Sequence, residues 1–150
     1  MNSLFDIEIQ QGVLNRINQL NENSQPNWGK MNVAQMLTHC QKPLEVANGN
    51  LHLNTKIGFL KKLMFKFLKP LMYNDKAWQK NLGTVKEFRI TDAHEFNTEK
   101  EKLVETINNF STKKNKSSWP PHPFFGNFNT EQWGKMQYKH LDHHLTQFGV

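Results

Sequence analysis

The sequence predicts an all-α fold: an antiparallel four-helix bundle that carries an extra basic helical segment and an irregular excursion. Three observations lead there. Apolar residues recur at intervals of three and four in four main stretches, the period of a helix with one buried face. Asn, Thr, Gly and Pro stand at the borders of those stretches, where helices start and stop. Alternating runs are almost missing, with room for one short extended segment at Val85 to Ile90.

The first helix spans residues 4 to 20, where Leu4, Ile7, Val13 or Leu14, and Ile17 or Leu20 fall at helical intervals. The polar stretch 21 to 27 contains Pro26 and reads as a turn. The second helix runs from about Asn32, an N-cap, to Asn48 and Gly49, and its stripe is Val33, Met36, Leu37, Cys40, Leu44 and Ala47. Residues 55 to 69 form the extra segment. Its stripe is Ile57, Leu60, Met64, Phe67 and Leu68, with Lys62, Lys66 and Lys69 on the far side and Pro70 as the stop. Asp75 to Asn97 is weakly periodic and forms the excursion. Thr98, with Glu101 three residues on, suggests a capping box for the helix of Leu103, Val104, Ile107 and Phe110. The prolines of "SSWPPHPFFGNF" forbid regular helix, so Trp119, Phe124, Phe125 and Phe128 should pack a structured loop onto the bundle. A last helix starts at Asn129 or Thr130 and runs to Phe148, with Gly149 as terminator.

With 150 residues, 37% of them hydrophobic, the chain can bury one core, and we expect a single domain over residues 1–150. One cysteine, Cys40, excludes an internal disulfide and reads as core, and the amino terminus lacks a basic region followed by an apolar run. The expected address is cytoplasmic. The net charge is +6, but the lysines are spread singly or in pairs apart from groups at 56 to 69 and at Lys113, Lys114 and Lys116. Nucleic acid is therefore not an expected partner. The basic helical segment could meet an anionic membrane or a protein partner, but a bundle-covering helix with solvated lysines is the simpler expectation, and membrane contact is not expected.

The carboxyl-terminal "KHLDHHLTQFGV" carries three of the seven histidines. On a helical wheel His140 and His144 fall about 20° either side of the centre of the apolar face of Trp133, Met136 and Phe148. His143 lies at its edge, roughly 80° away, and Asp142 points outward. Buried imidazoles need partners. A metal ion is one candidate, because an i, i+4 histidine pair can bring two ring nitrogens to one ion. Backbone groups or buried water are the other, and the spacing alone leaves both open. The intervening Leu141-Asp142-His143 lacks the glutamate of H-E-x-x-H, which excludes a metalloprotease of that type.

Further histidines are candidates for a third ligand. His39 lies in the second helix but about 100° from the centre of its stripe, beside a turn that Pro43 should loosen. His52 and His94 fall in connectors and read as surface residues, while His122 sits in the stiff loop and could cover a site or cap the entry to the last helix.

The strings "NWGKMNVAQMLTHC" and "HPFFGNFNTEQWGKMQYKHLDHHLTQFG" resemble the DinB/YfiT-like superfamily of metalloenzymes, and within it a functionally uncharacterised bacterial branch. The resemblance covers nearly the whole chain. It implies a four-helix bundle holding a divalent metal, zinc or nickel, with His39 as the ligand from the second helix and His140 and His144 as the pair from the last. Related families include bacillithiol- and mycothiol-dependent transferases and a maleylpyruvate isomerase, so it also implies a metal-dependent transferase or hydrolase. The ion would activate a low-molecular-weight thiol or a water against a small-molecule substrate, with Asp142 or His143 tuning a ligand from behind. The alternative is a noncatalytic bundle that binds a metal or small ligand. Homodimerisation is a further expectation from the resemblance, and no catalytic base is identified.

Overall fold

Asn32 and Asn129 open the two helices that carry the histidines, and both do so by the same device. Each side-chain oxygen accepts the N–H of a glutamine one turn on, Gln35 or Gln132, and that glutamine reaches back to the asparagine N–H. Such capping boxes satisfy donors that a helix start leaves stranded, and an Asn cap contributes about 1 kcal/mol. The computed structural model describes residues 2–53 and 57–150. Its helices are α1 (Ile7–Gln19), α2 (Val33–Asn48), α3 (Phe59–Leu68), α4 (Phe96–Ser111) and α5 (Thr130–Gln147), with short 3-10 turns at Lys69–Met72 and Lys86–Phe88. The fold is all-α, and no strand forms among the described residues.

α2 packs against α4 and α5, and α1 packs against the same two helices. α1 and α2 therefore face each other across a four-helix ring. The expected stripe of α2 is buried along its length, and Gly49 ends the helix in the left-handed conformation with φ of 84°. Met36, Leu37, Leu44, Ile107, Phe110 and Trp133 lie in the centre with no exposed surface. Each large apolar side chain buried there contributes roughly 1.5–3 kcal/mol.

Four local expectations are corrected. α1 starts at Ile7, because Leu4 and Phe5 form a turn ahead of it, closed by the Asp6 N–H donating to the Ser3 carbonyl: the Leu4 N–H donates to the Gly134 carbonyl, and Phe5 stacks on Phe110. Ile7 is exposed, since Val13 and Ile17 set the buried face and Ile7 lies about 100° from its centre. α4 begins before Thr98; the Glu95 carboxylate caps it by accepting the N–H groups of Asn97 and Thr98, and a negative charge there also suits the helix dipole. Val85 to Ile90 holds a 3-10 turn at Lys86–Phe88 in place of an extended run.

A fifth correction concerns α3. Positions 55 and 56 of the expected segment lie outside the described residues. The rest is helical, but its stripe does not pack on the bundle: α3 buries no residue, and Leu60, Met64, Phe67 and Leu68 are exposed. Phe65, which the stripe omits, makes the inward contact, with its ring 5.6 Å from Phe124 and 5.4 Å from Phe125.

The proline-rich loop packs as expected. Phe128 is buried, and Trp119, Phe124 and Phe125 lie against the core. His122 is the loop's buried centre. Its Nδ1 accepts from the N–H groups of Phe124 and Phe125, and its main chain pairs with Gly126. No helix among the described residues is long and apolar enough to cross a membrane.

Candidate metal centre

α2 and α5 are neighbours, and their contact brings His39, His140 and His144 together. The three are 3%, 6% and 7% exposed. Their ring centroids form a nearly even triangle with sides of 4.9, 4.7 and 4.8 Å. One ring nitrogen from each lies within 4.8 Å of the others, so the group can hold a metal ion.

The outer partners decide which nitrogens face inward. The Phe88 carbonyl can only accept, so His39 Nδ1, 2.8 Å away, is the protonated nitrogen and Nε2 carries the lone pair. The same logic fixes His144 through Gln147. The Trp28 carbonyl takes the Gln147 amide N–H, which turns Gln147 Oε1 toward His144 Nδ1 at 2.8 Å and makes that nitrogen the donor. Both rings thus keep Nε2 unprotonated.

His140 is different. Its Nε2 lies 3.0 Å from His39 Nε2, and its Nδ1 is buried without a partner among the described groups. If His140 donates through Nε2, a lone pair is stranded at Nδ1. If Nε2 is unprotonated, two lone pairs face each other at contact distance. A cation removes the clash of facing lone pairs, although the Nδ1–H of His140 then has no acceptor among the described groups: nitrogens bound at about 2.0–2.1 Å in a tetrahedron stand roughly 3.3 Å apart, close to the spacing between His140 and His39. The donor set, three neutral imidazole nitrogens, fits a divalent metal ion with a coordination position left over.

Electrostatics acts in the same sense. Burial holds His39 below the ordinary imidazole value, although the Phe88 carbonyl opposes it. Burial, then the neighbouring His144 and His39, push His140 well below that range, and burial brings His144 to about 3. All three are neutral at pH 7, the form a metal requires.

The surroundings contain groups that sequence reasoning missed. Trp78, from the excursion, places its ring 5.8 Å from both His140 and His143, and Trp28 lies 5.9 Å from His143. Lys139 holds this wall in place: its ammonium donates to the Leu71 carbonyl and to the carbonyl and side chain of Asn74, and lies 5.6 Å from the Trp78 ring. Asp142 does not support a ligand. It pairs with Arg16 of α1 at 2.6 Å. His143 is half-buried against the two tryptophans. His94 is not a plain surface residue either, since it sits between Asp92 at 3.2 Å and Glu99 at 3.5 Å, away from the triad. His52 is exposed, and Cys40 is buried with its thiol on Met36, outside the triad.

The sequence profile of a family described as a protein of unknown function, DUF1569, matches residues 1–149. The chain belongs to the DUF1569 family. No curated protein and no solved structure gives a match. The family description carries no activity, so the chemistry of this DUF1569 member has to be argued from its own residues. The signals for the missed groups were faint: Trp28 and Trp78 are isolated aromatics in polar stretches, and a main-chain carbonyl such as that of Phe88 leaves no mark in residue types.

Proposed function

We propose that this protein is a metal-dependent enzyme of DinB/YfiT-like type, in which His39, His140 and His144 hold a zinc or nickel ion through Nε2. One observation carries the reading. Two of the three buried imidazoles have their outer nitrogens committed as donors, which leaves their inner nitrogens unprotonated in a cluster whose ring nitrogens lie within 4.8 Å of one another. Three neutral ligands leave the ion its full charge, and such an ion supplies Lewis acidity that lowers the pKa of a water or low-molecular-weight thiol.

The chain's own part is orientation and exclusion of water. Phe88 and Gln147 fix two of the rings, and such partners behind a ligand typically change metal affinity about 10–100-fold. Trp28, Trp78 and His143 wall the side of the centre and offer aromatic surface to the apolar part of a small substrate. Thiol transfer stands ahead of hydrolysis through the sequence resemblance. The noncatalytic alternative draws on a different observation, that the cluster consists of histidines alone and includes no carboxylate to serve as a base.

Elemental mass spectrometry on tag-free protein purified without added metal, beside His140→Ala, tests the reading. Near-stoichiometric zinc or nickel in the parent and its loss from the variant is the expected result. Protein that carries no metal and takes up neither zinc nor nickel on titration would overturn it. Metal without turnover of thiol or ester substrates would favour the noncatalytic bundle.

A further inference from the structure

α3 presents its apolar side to solvent. Phe59 and Leu60 are each 78% exposed and Phe67 is 75% exposed, with Leu63 and Met64 between them. On a wheel that starts at Phe59, these five cover an arc of about 140°. Phe65, the residue in contact with Phe124 and Phe125, lies on the opposite side at about 240°. The helix is thus attached by its minor face; Phe59 and Leu63 border a cavity shared with Phe124 and Phe125, and the rest of its major apolar face is open. Contiguous exposed apolar surface of this kind marks an interaction site.

The charges select the partner. Lys61 borders the apolar arc on one side, and Lys62 and Lys66 border it on the other. No acidic residue occurs between Glu45 and Asp75. Two copies packed through this face would bring lysines against lysines with no local carboxylate to pair them. An anionic bilayer meets both requirements, because phosphate headgroups pair with the flanking lysines while the acyl boundary takes the aromatic and aliphatic side chains. The helix is too short to span, so it would lie in the plane of the interface.

We propose that the exposed face of α3 docks this protein on an anionic membrane surface, with Phe59, Leu60, Met64 and Phe67 entering the acyl boundary and Lys61, Lys62 and Lys66 contacting headgroups. This departs from the expectation drawn from sequence, which assumed that the apolar stripe covers the bundle. It does not depend on the metal centre.

Co-sedimentation of the full chain with vesicles tests it, using phosphatidylcholine alone and phosphatidylcholine containing about a third phosphatidylglycerol. The protein should sediment with the anionic vesicles, and its bound fraction should fall at least about tenfold without phosphatidylglycerol or in roughly 0.5 M salt. Leu60→Asp with Phe67→Asp should lose binding to a similar extent, with unchanged helical circular dichroism, because neither side chain packs on the fold. Failure of the parent protein to sediment with anionic vesicles would overturn the proposal, as would equal binding by the variant. A concentration-dependent dimer that the same substitutions abolish, in protein that ignores vesicles, would also overturn it and assign the face to a second copy.

Discussion

Gln147 offers a way to disturb the proposed metal centre without altering a histidine. In Gln147→Leu the side chain keeps its approximate size but loses both polar ends, leaving the His144 Nδ1–H and the Trp28 carbonyl without their partner. Each stranded buried group costs about 1–3 kcal/mol, and the lower end applies to the carbonyl because Trp28 is only half-buried. A loss of about 2 kcal/mol lowers the melting temperature of a domain this size by roughly 4–8 °C. Zinc affinity should fall about 10–100-fold, since His144 can then adopt either tautomer and turn freely. Gly29→Ala provides an independent route to the same defect: its φ is +88°, and a Cβ there would lie 2.5 Å from the Gln147 amide nitrogen. Thermal melts in chelator and competitive zinc titrations of the parent, Gln147→Leu, Gly29→Ala and His144→Ala would read both effects. If Gln147→Leu binds zinc within about twofold of the parent and melts within about 1 °C, the partner-based assignment of His144 is wrong.

Three more outcomes follow from the same structure. His122 titrates near 3 when folded because burial disfavours its charge, whereas an unfolded histidine takes its proton near 6.5. The unfolded state therefore binds more protons between those values, so stability falls as pH drops below 6.5 and keeps falling toward 3. From pH 7 to 5 this amounts to about 2 kcal/mol, and urea unfolding of His122→Asn, which keeps an acceptor but does not titrate, should recover it. Gly134→Ala should destabilise by about 1–3 kcal/mol, although alanine is the better helix former, because a Cβ would meet Ser3 Oγ at 2.3 Å and Phe5 Cδ2 at 2.5 Å; a chemical melt gives the sign. Zinc at about a hundredfold excess over its dissociation constant should stabilise the protein by about 2.7 kcal/mol, visible as a rise of roughly 5–10 °C that His39→Ala and His140→Ala both abolish.

The bundle was readable because its information is local. The caps at Asn32, Asn129 and Gly49 and the stripe of α2 each depend on residues within a few positions of one another. His140 and His144 were readable for the same reason, since α5 buries the face that the wheel identifies. His39 was not readable from its wheel, which puts it off the stripe. α2 lies between α4 and α5 and buries Thr38, His39 and Gln41 as well as its apolar residues, so its buried surface is wider than its hydrophobic pattern. α3 fails in the opposite sense. Its periodicity shows that the helix has an apolar face, but a pattern along one helix does not say what that face meets, and here it meets no part of the bundle.

The excursion between α3 and α4 is what joins these two levels. It has little periodic pattern because it serves the bundle through isolated contacts: the Phe88 carbonyl orients His39, and the Trp78 ring covers His140 and His143. Trp78 is in turn tied to the Leu71 carbonyl that also receives Lys139 of α5. The histidine triangle and the excursion therefore depend on one another. Without the excursion His39 loses the acceptor that fixes its tautomer, and the centre loses part of its wall against water. The sequence can place three histidines on two helices, but their arrangement as one cluster of ring nitrogens requires a segment that no helical pattern records.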